Sequence, residues 1–175
     1  LPALAVSFDF GQTLAELDAD LLSRRLAAQG HEVSAARIEA SVPFAWRAYN
    51  DAIAAGFGGH PWKILMRELL EQSGVSAPAI AGLCDYLWEQ QPIVNLWRRP
   101  IAGMIALVRD LVQTSVPVAV LSNSEGRLAE LIEELNWQSL FQVVADSGKL
   151  GMSKPDRAIF EWTSAALRVP LSRIV

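Results

Sequence analysis

The chain has 175 residues, 51% of them hydrophobic, and a net charge of -4. That is enough apolar material for one buried core, or for one core carrying an insertion. The acidic balance argues against a nucleic-acid or anionic-membrane surface, and no apolar run reaches the roughly 18 residues needed to span a bilayer.

The only cysteine, Cys84, excludes an internal disulfide and fits a reducing, cytoplasmic compartment. The first residues lack the basic start and apolar stretch of a signal peptide. They also lack a methionine, so the natural start is expected to be missing or trimmed.

In chain order, residues 3–8 read as a buried strand that delivers Asp9 into Phe10-Gly11-Gln12-Thr13-Leu14. From residue 17 to about 91 the pattern is helical and carries no strand signal. Leu21, Leu22, Arg25 and Leu26 share a face of a first helix that Asp18 caps and Gly30 ends. A second stretch runs from Ser34 towards Phe57, with Pro43 marking a break or a fresh start. Residues 61–72 and 78–91 read as two more helices, the last with Ile80, Leu83, Cys84, Leu87 and Trp88 on its apolar face.

Residues 92–100 read as a linker, after which strands alternate with helices. A helix with Ile101, Met104, Ile105 and Val108 on one face precedes a strand over 116–121. A helix with Leu128, Leu131, Ile132 and Leu135 precedes a strand over 142–145, and one with Ile159, Phe160, Thr163 and Leu167 leads into the start of a strand over 172–175. This alternation predicts an α/β fold, a doubly wound parallel sheet that the first strand joins. The expected domains are a core from residues 1–14 and 100–175 and an all-helical cap from 15–99.

A carboxylate at the carboxyl end of a parallel strand stands where open α/β sheets hold ligands, and it can attack phosphorus or an sp3 carbon. Taken alone, such an aspartate is more often a turn or cap residue. Two further segments suit it. Ser122 ends the strand over 116–121 and enters Asn123-Ser124-Glu125-Gly126, read as a helix opening with free N–H groups and Ser124 as its N-cap. Lys154 precedes Pro155 at the start of a helix, whereas Lys149 reads as a solvated surface lysine. The cap aromatics, among them Phe44, Trp46, Tyr49, Trp62 and Trp88, have the spacing of core and seam residues, and Cys84 reads as core.

Asp9, then Ser122-Asn123, then Ser153-Lys154-Pro155-Asp156 resembles the motif order of the haloacid dehalogenase-like (HAD) hydrolases, and the resemblance runs from end to end. It implies a Rossmann-like core with a helical cap and a small soluble substrate. Asp9 would be the nucleophile, and Ser122 and Lys154 would stabilise the transferred group, supported by Thr13 and Asn123. It also implies Mg2+ for a phosphatase, held by Asp9 and the backbone carbonyl of Gly11.

The family's phosphatases carry a second aspartate, an acid–base group, where this chain has Gly11, and usually a glycine where it has Gln12. The family's last acidic ligand would follow the strand starting at Arg173-Ile174-Val175, so truncation is expected. In the cap, Arg47 could bind a substrate carboxylate, as an arginine does in the dehalogenases, although exposed helical arginines are common. His60 could act as acid or recognition group, or be only a loop residue. Phosphate-ester hydrolysis is the first expectation. Metal-free carbon–halogen hydrolysis is the alternative, and a catalytically impaired relative that binds a ligand or partner is a third. Monomer and homodimer remain equally open.

Overall fold

The computed structural model describes residues 5–57 and 61–175. Two short strands, β1 (Val6–Phe8) and β2 (Ala15–Leu17), precede four helices: α1 (Ala19–Ala28), α2 (Ala35–Ala54), α3 (Trp62–Gln72) and α4 (Ala77–Gln90). Then follow β3 (Trp97–Pro100), α5 (Ala102–Gln113), β4 (Val118–Ser122), α6 (Leu128–Glu134), β5 (Val143–Asp146), α7 (Ser147–Leu150) and α8 (Arg157–Leu167). These elements form two compact units, Leu1–Leu17 with Trp97–Val175, and Asp18–Leu96. No helix among the described residues is long and apolar enough to cross a membrane.

The first unit is built on a parallel sheet of order β1-β4-β5. All five residues of β4 are buried, as expected for a central strand covered on both faces. Alternate side chains define one of those faces. Leu121 and Ala145 pack on Ile159 of α8, and Ala5, Ala119 and Val143 pack on Leu167 one helical stretch further along. The helix's period therefore matches the strand's pleat, and α8 is fixed against the sheet.

The strand start expected over 172–175 is only partly formed. Leu171–Arg173 makes a 3-10 turn, and Ile174 forms a single parallel bridge to Ala5. Ser7 N–H donates to the Val175 carbonyl at 2.6 Å, which adds the chain end beside β1.

The linker expected over 92–100 also differs. Its second half is β3, which pairs antiparallel with β2 in a separate two-stranded ribbon. Glu16 and Arg99 lie directly opposite and form an ion pair at 2.9 Å. Each strand is too short to show a period, and its partner lies across the whole helical segment, so neither could be read locally.

The second unit contains α1–α4, with α2 packed on α1 and α3, and α3 on α4. Asp18 caps α1 by accepting the Leu21 N–H at 2.8 Å, and Ser34 caps α2. Leu22, Leu26, Ile38, Met66, Leu69 and Leu87 are buried. Pro43 does not break α2, which runs through it without interruption. The missing N–H and ring clash cost about 3 kcal/mol, so flanking burial of Ile38, Ser41 and Ala45 has to outweigh that local penalty. Cys84 is buried, and burial pushes its thiol pKa up. The base of the unit closes where Asp18 N–H donates to the Leu96 carbonyl at 2.8 Å.

Candidate active site

Asp9 follows the last residue of β1, and a tight turn starts immediately after it. The Phe10 carbonyl accepts from the N–H groups of Thr13, Leu14 and Ala15, and Gln12 N–H donates to the Ala15 carbonyl at 2.8 Å. Phe10, Leu14 and Ala15 are buried and anchor this turn, leaving the polar side chains to point elsewhere. Gln12 takes a left-handed backbone, φ 61°, a conformation that side chains other than glycine rarely adopt. At Asp9, Oδ1 accepts from Phe10 N–H at 2.8 Å and from Lys154 Nζ at 2.7 Å. Among the described residues Oδ2 has no hydrogen-bond partner, and the side chain is 47% exposed.

Ser122 lies at the end of β4, next to β1, and Phe8 pairs with Val120. Asp9 and Ser122 therefore emerge from the same ends of neighbouring strands. Ser122 is buried, and its hydroxyl faces the Asn123 carbonyl at 3.4 Å, bonding neither Asp9 nor Lys154.

The segment after Ser122 corrects the expected helix opening. Helix α6 begins only at Leu128, its N-cap is Arg127, and Ser124 does not cap it. The loop is organised instead by Asp146 at the end of β5, a residue whose role the sequence did not disclose. Asp146 is buried and accepts from Ser124 Oγ at 2.7 Å, Gly126 N–H at 3.1 Å, Leu128 N–H at 2.8 Å and Gly148 N–H at 2.9 Å. Ser124 N–H is taken by Ser147 Oγ at 2.9 Å. Three N–H groups of the expected anion cradle, those of Ser124, Gly126 and Leu128, are thus already bonded within the protein.

Lys154 is held from a different direction. Asn123 Oδ1 accepts the Lys154 N–H at 2.8 Å, and Asn123 Nδ2 donates to the Lys154 carbonyl at 3.0 Å. Lys149 pairs with Glu130 at 3.1 Å at the surface, as its reading as a solvated lysine requires. Thr13 lies within the turn after Asp9. Arg47 lies on α2 in the other unit, and His60 falls outside the described residues.

The described residues do not make a magnesium site. The implied donors are the Asp9 carboxylate and the Gly11 carbonyl, and no group of three or more His, Cys, Asp or Glu among the described residues is arranged to hold a metal. Asp146 cannot supply the remainder, because both its oxygens are engaged by protein donors.

No family model matches the sequence. It is similar to haloacid dehalogenase-like hydrolase domain-containing protein 3 of Bos taurus, 28% identical over 140 residues and 76% of this chain. The chain spans about half the length of that curated relative, 55%. In fold it is similar to a candidate HAD-hydrolase of Bacillus subtilis bound to magnesium, with a TM-score of 0.68, 17% identity, and 97% and 74% of the two chains covered. It is also similar to an L-2-haloacid dehalogenase, with a TM-score of 0.58, 18% identity and 99% and 77% covered. A candidate phosphoglycolate phosphatase from Lactobacillus delbrueckii gives a TM-score of 0.60 at 19% identity, with 99% and 77% covered. The fold is the mixed α/β, Rossmann-like one of these structures. In sequence and in fold the chain is thus similar to haloacid dehalogenase-like hydrolases.

Proposed function

We propose that this chain carries the nucleophile of a hydrolase acting on a small anionic molecule, and that phosphate-ester hydrolysis is its reaction. The observation that carries this reading is the Asp9–Lys154 pair, 2.7 Å apart at the carboxyl ends of parallel strands. Asp9 Oδ2 attacks phosphorus and forms an acyl phosphate while the ester oxygen leaves with the bonding electrons. Water then opens the acyl phosphate. Lys154, held on Oδ1, keeps positive charge beside the transferred group as negative charge builds on it. Gly11 offers no proton, so the departing oxygen must be a good leaving group or take its proton from water. Magnesium belongs to this reading, supported by the magnesium-bound structure of similar fold, but the donors described here do not complete its site.

Gly11 favours one second reading, carbon–halogen hydrolysis. There Asp9 attacks carbon, the halide leaves with the bonding pair unprotonated, and water hydrolyses the resulting ester. The absence of an acid at position 11 then costs nothing.

The test is Asp9→Asn, which removes the attacking oxygen at nearly constant shape. Rates on para-nitrophenyl phosphate with magnesium, and on 2-chloropropionate without it, should fall about a thousand-fold or more, with the circular dichroism spectrum unchanged. Wild-type rates in the variant would remove Asp9 from the mechanism.

A further inference from the structure

We infer that Asn123 is a positioning residue acting through Lys154 rather than a group that binds substrate. Its carboxamide bonds the two peptide groups that flank the Lys154 Cα, accepting the Lys154 N–H at 2.8 Å and donating to the Lys154 C=O at 3.0 Å. Two bonds on either side of one Cα restrain the backbone torsions between them, as a single bond would not. The Cα between them carries the side chain whose ammonium lies 2.7 Å from Asp9 Oδ1.

Asn123 is itself held at the root of its loop. Ser122 before it belongs to buried β4, and Ser124 after it is bonded through its N–H to Ser147 and through its hydroxyl to Asp146. The order of dependence is therefore Asp146, loop, Asn123, Lys154, Asp9. A flexible lysine loses side-chain entropy when held in one place. Fixing its backbone leaves only the side-chain torsions to order, and the bond to Asp9 Oδ1 orders those.

This inference rests on the Asp9–Lys154 reading above, and a double-mutant cycle separates the two. With para-nitrophenyl phosphate and 2-chloropropionate as probes, Lys154→Ala should lower kcat/KM about 100-fold and Asn123→Ala about 10-fold. In the Lys154→Ala background, Asn123→Ala should change kcat/KM by less than about twofold, because the lysine it positions is gone. Effects that multiply would show that Asn123 meets substrate directly and would overturn the inference while leaving the nucleophile in place. Asn123→Gln keeps the carboxamide but displaces it by one methylene, so it should behave like Asn123→Ala; it also serves if the alanine variant melts early.

A second measurement needs no turnover. Under limiting acetic anhydride, with peptide mass spectrometry, Lys154 acetylation relative to Lys149 should rise several-fold in Asp9→Asn and in Asn123→Gln alike. A rise in the first variant only would overturn the positioning role. No rise in either would overturn the Asp9–Lys154 pair and the inference with it.

Discussion

At the scale of single residues, the turn after Asp9 carries two departures that the structure makes quantitative. Gln12 sits at φ 61° in a turn tied by backbone bonds on both sides. A left-handed non-glycine residue costs about 1–2 kcal/mol, and glycine gives back part of that through the freedom of its unfolded chain. Gln12→Gly is therefore expected to stabilise the protein by about 1 kcal/mol, read as a higher urea midpoint. A lower midpoint would mean that the Gln12 side chain contributes more than its backbone costs. At Gly11, an added Cβ would stand 3.5 Å from the Trp97 indole, an ordinary contact, so a Cβ is accommodated there. Gly11→Asp, alone and with Gln12→Gly, should raise turnover of alkyl phosphates far more than of aryl phosphates, because only poor leaving groups need a proton. Equal effects on both would show that a carboxylate at position 11 does not reach the leaving oxygen.

At the scale of elements, the site depends on how closely the β4–α6 loop meets the start of α7. Gly148 is the point of contact: a Cβ there would lie 2.4 Å from Gly126 N and 2.7 Å from both the Glu125 carbonyl carbon and the Ser124 oxygen. These are backbone atoms held by Asp146 and Ser147, with no flexible end to move aside. Gly148→Ala should therefore destabilise by about 2–3 kcal/mol. Gly82, in the interior of α4, meets nothing within 4 Å. Gly82→Ala should stabilise by about 0.5–1 kcal/mol through helix propensity alone. Thermal melts of the two variants should move in opposite directions. The same sign for both would mean that the loop shifts away at little cost.

At the scale of the whole molecule, the helical segment leaves and re-enters the chain at neighbouring points. Leu17 on β2 pairs with Trp97 on β3, and the adjacent Asp18 N–H bonds the Leu96 carbonyl. Helices α1–α4 pack on one another within it, and both ends of the bond that closes it lie there too. A fragment of residues 18–96 should accordingly show a helical circular dichroism spectrum and one cooperative melt. A broad, non-cooperative loss of signal would show that its core is incomplete without the rest of the chain.

The sequence by itself determined the alternation of strands and helices after residue 100, the helical character of the segment before it, and the placement of Asp9, Ser122 and Lys154 in the ends and loops of that alternation. Those signals are local: apolar period reports burial of a face, and caps and prolines report backbone angles within one turn. The path through Pro43 and the late start of α6 were not legible, because packing and a distant carboxylate override local preference there. The β2–β3 ribbon was not legible either. Only the tertiary structure decided that Asp9 meets Lys154 across 145 positions of sequence. It alone decided that Asn123 clamps the Lys154 backbone and that Asp146 gathers the donors of two loops. Such pairs are set by sheet register and chain crossover, which bring together residues whose own neighbourhoods carry no trace of one another.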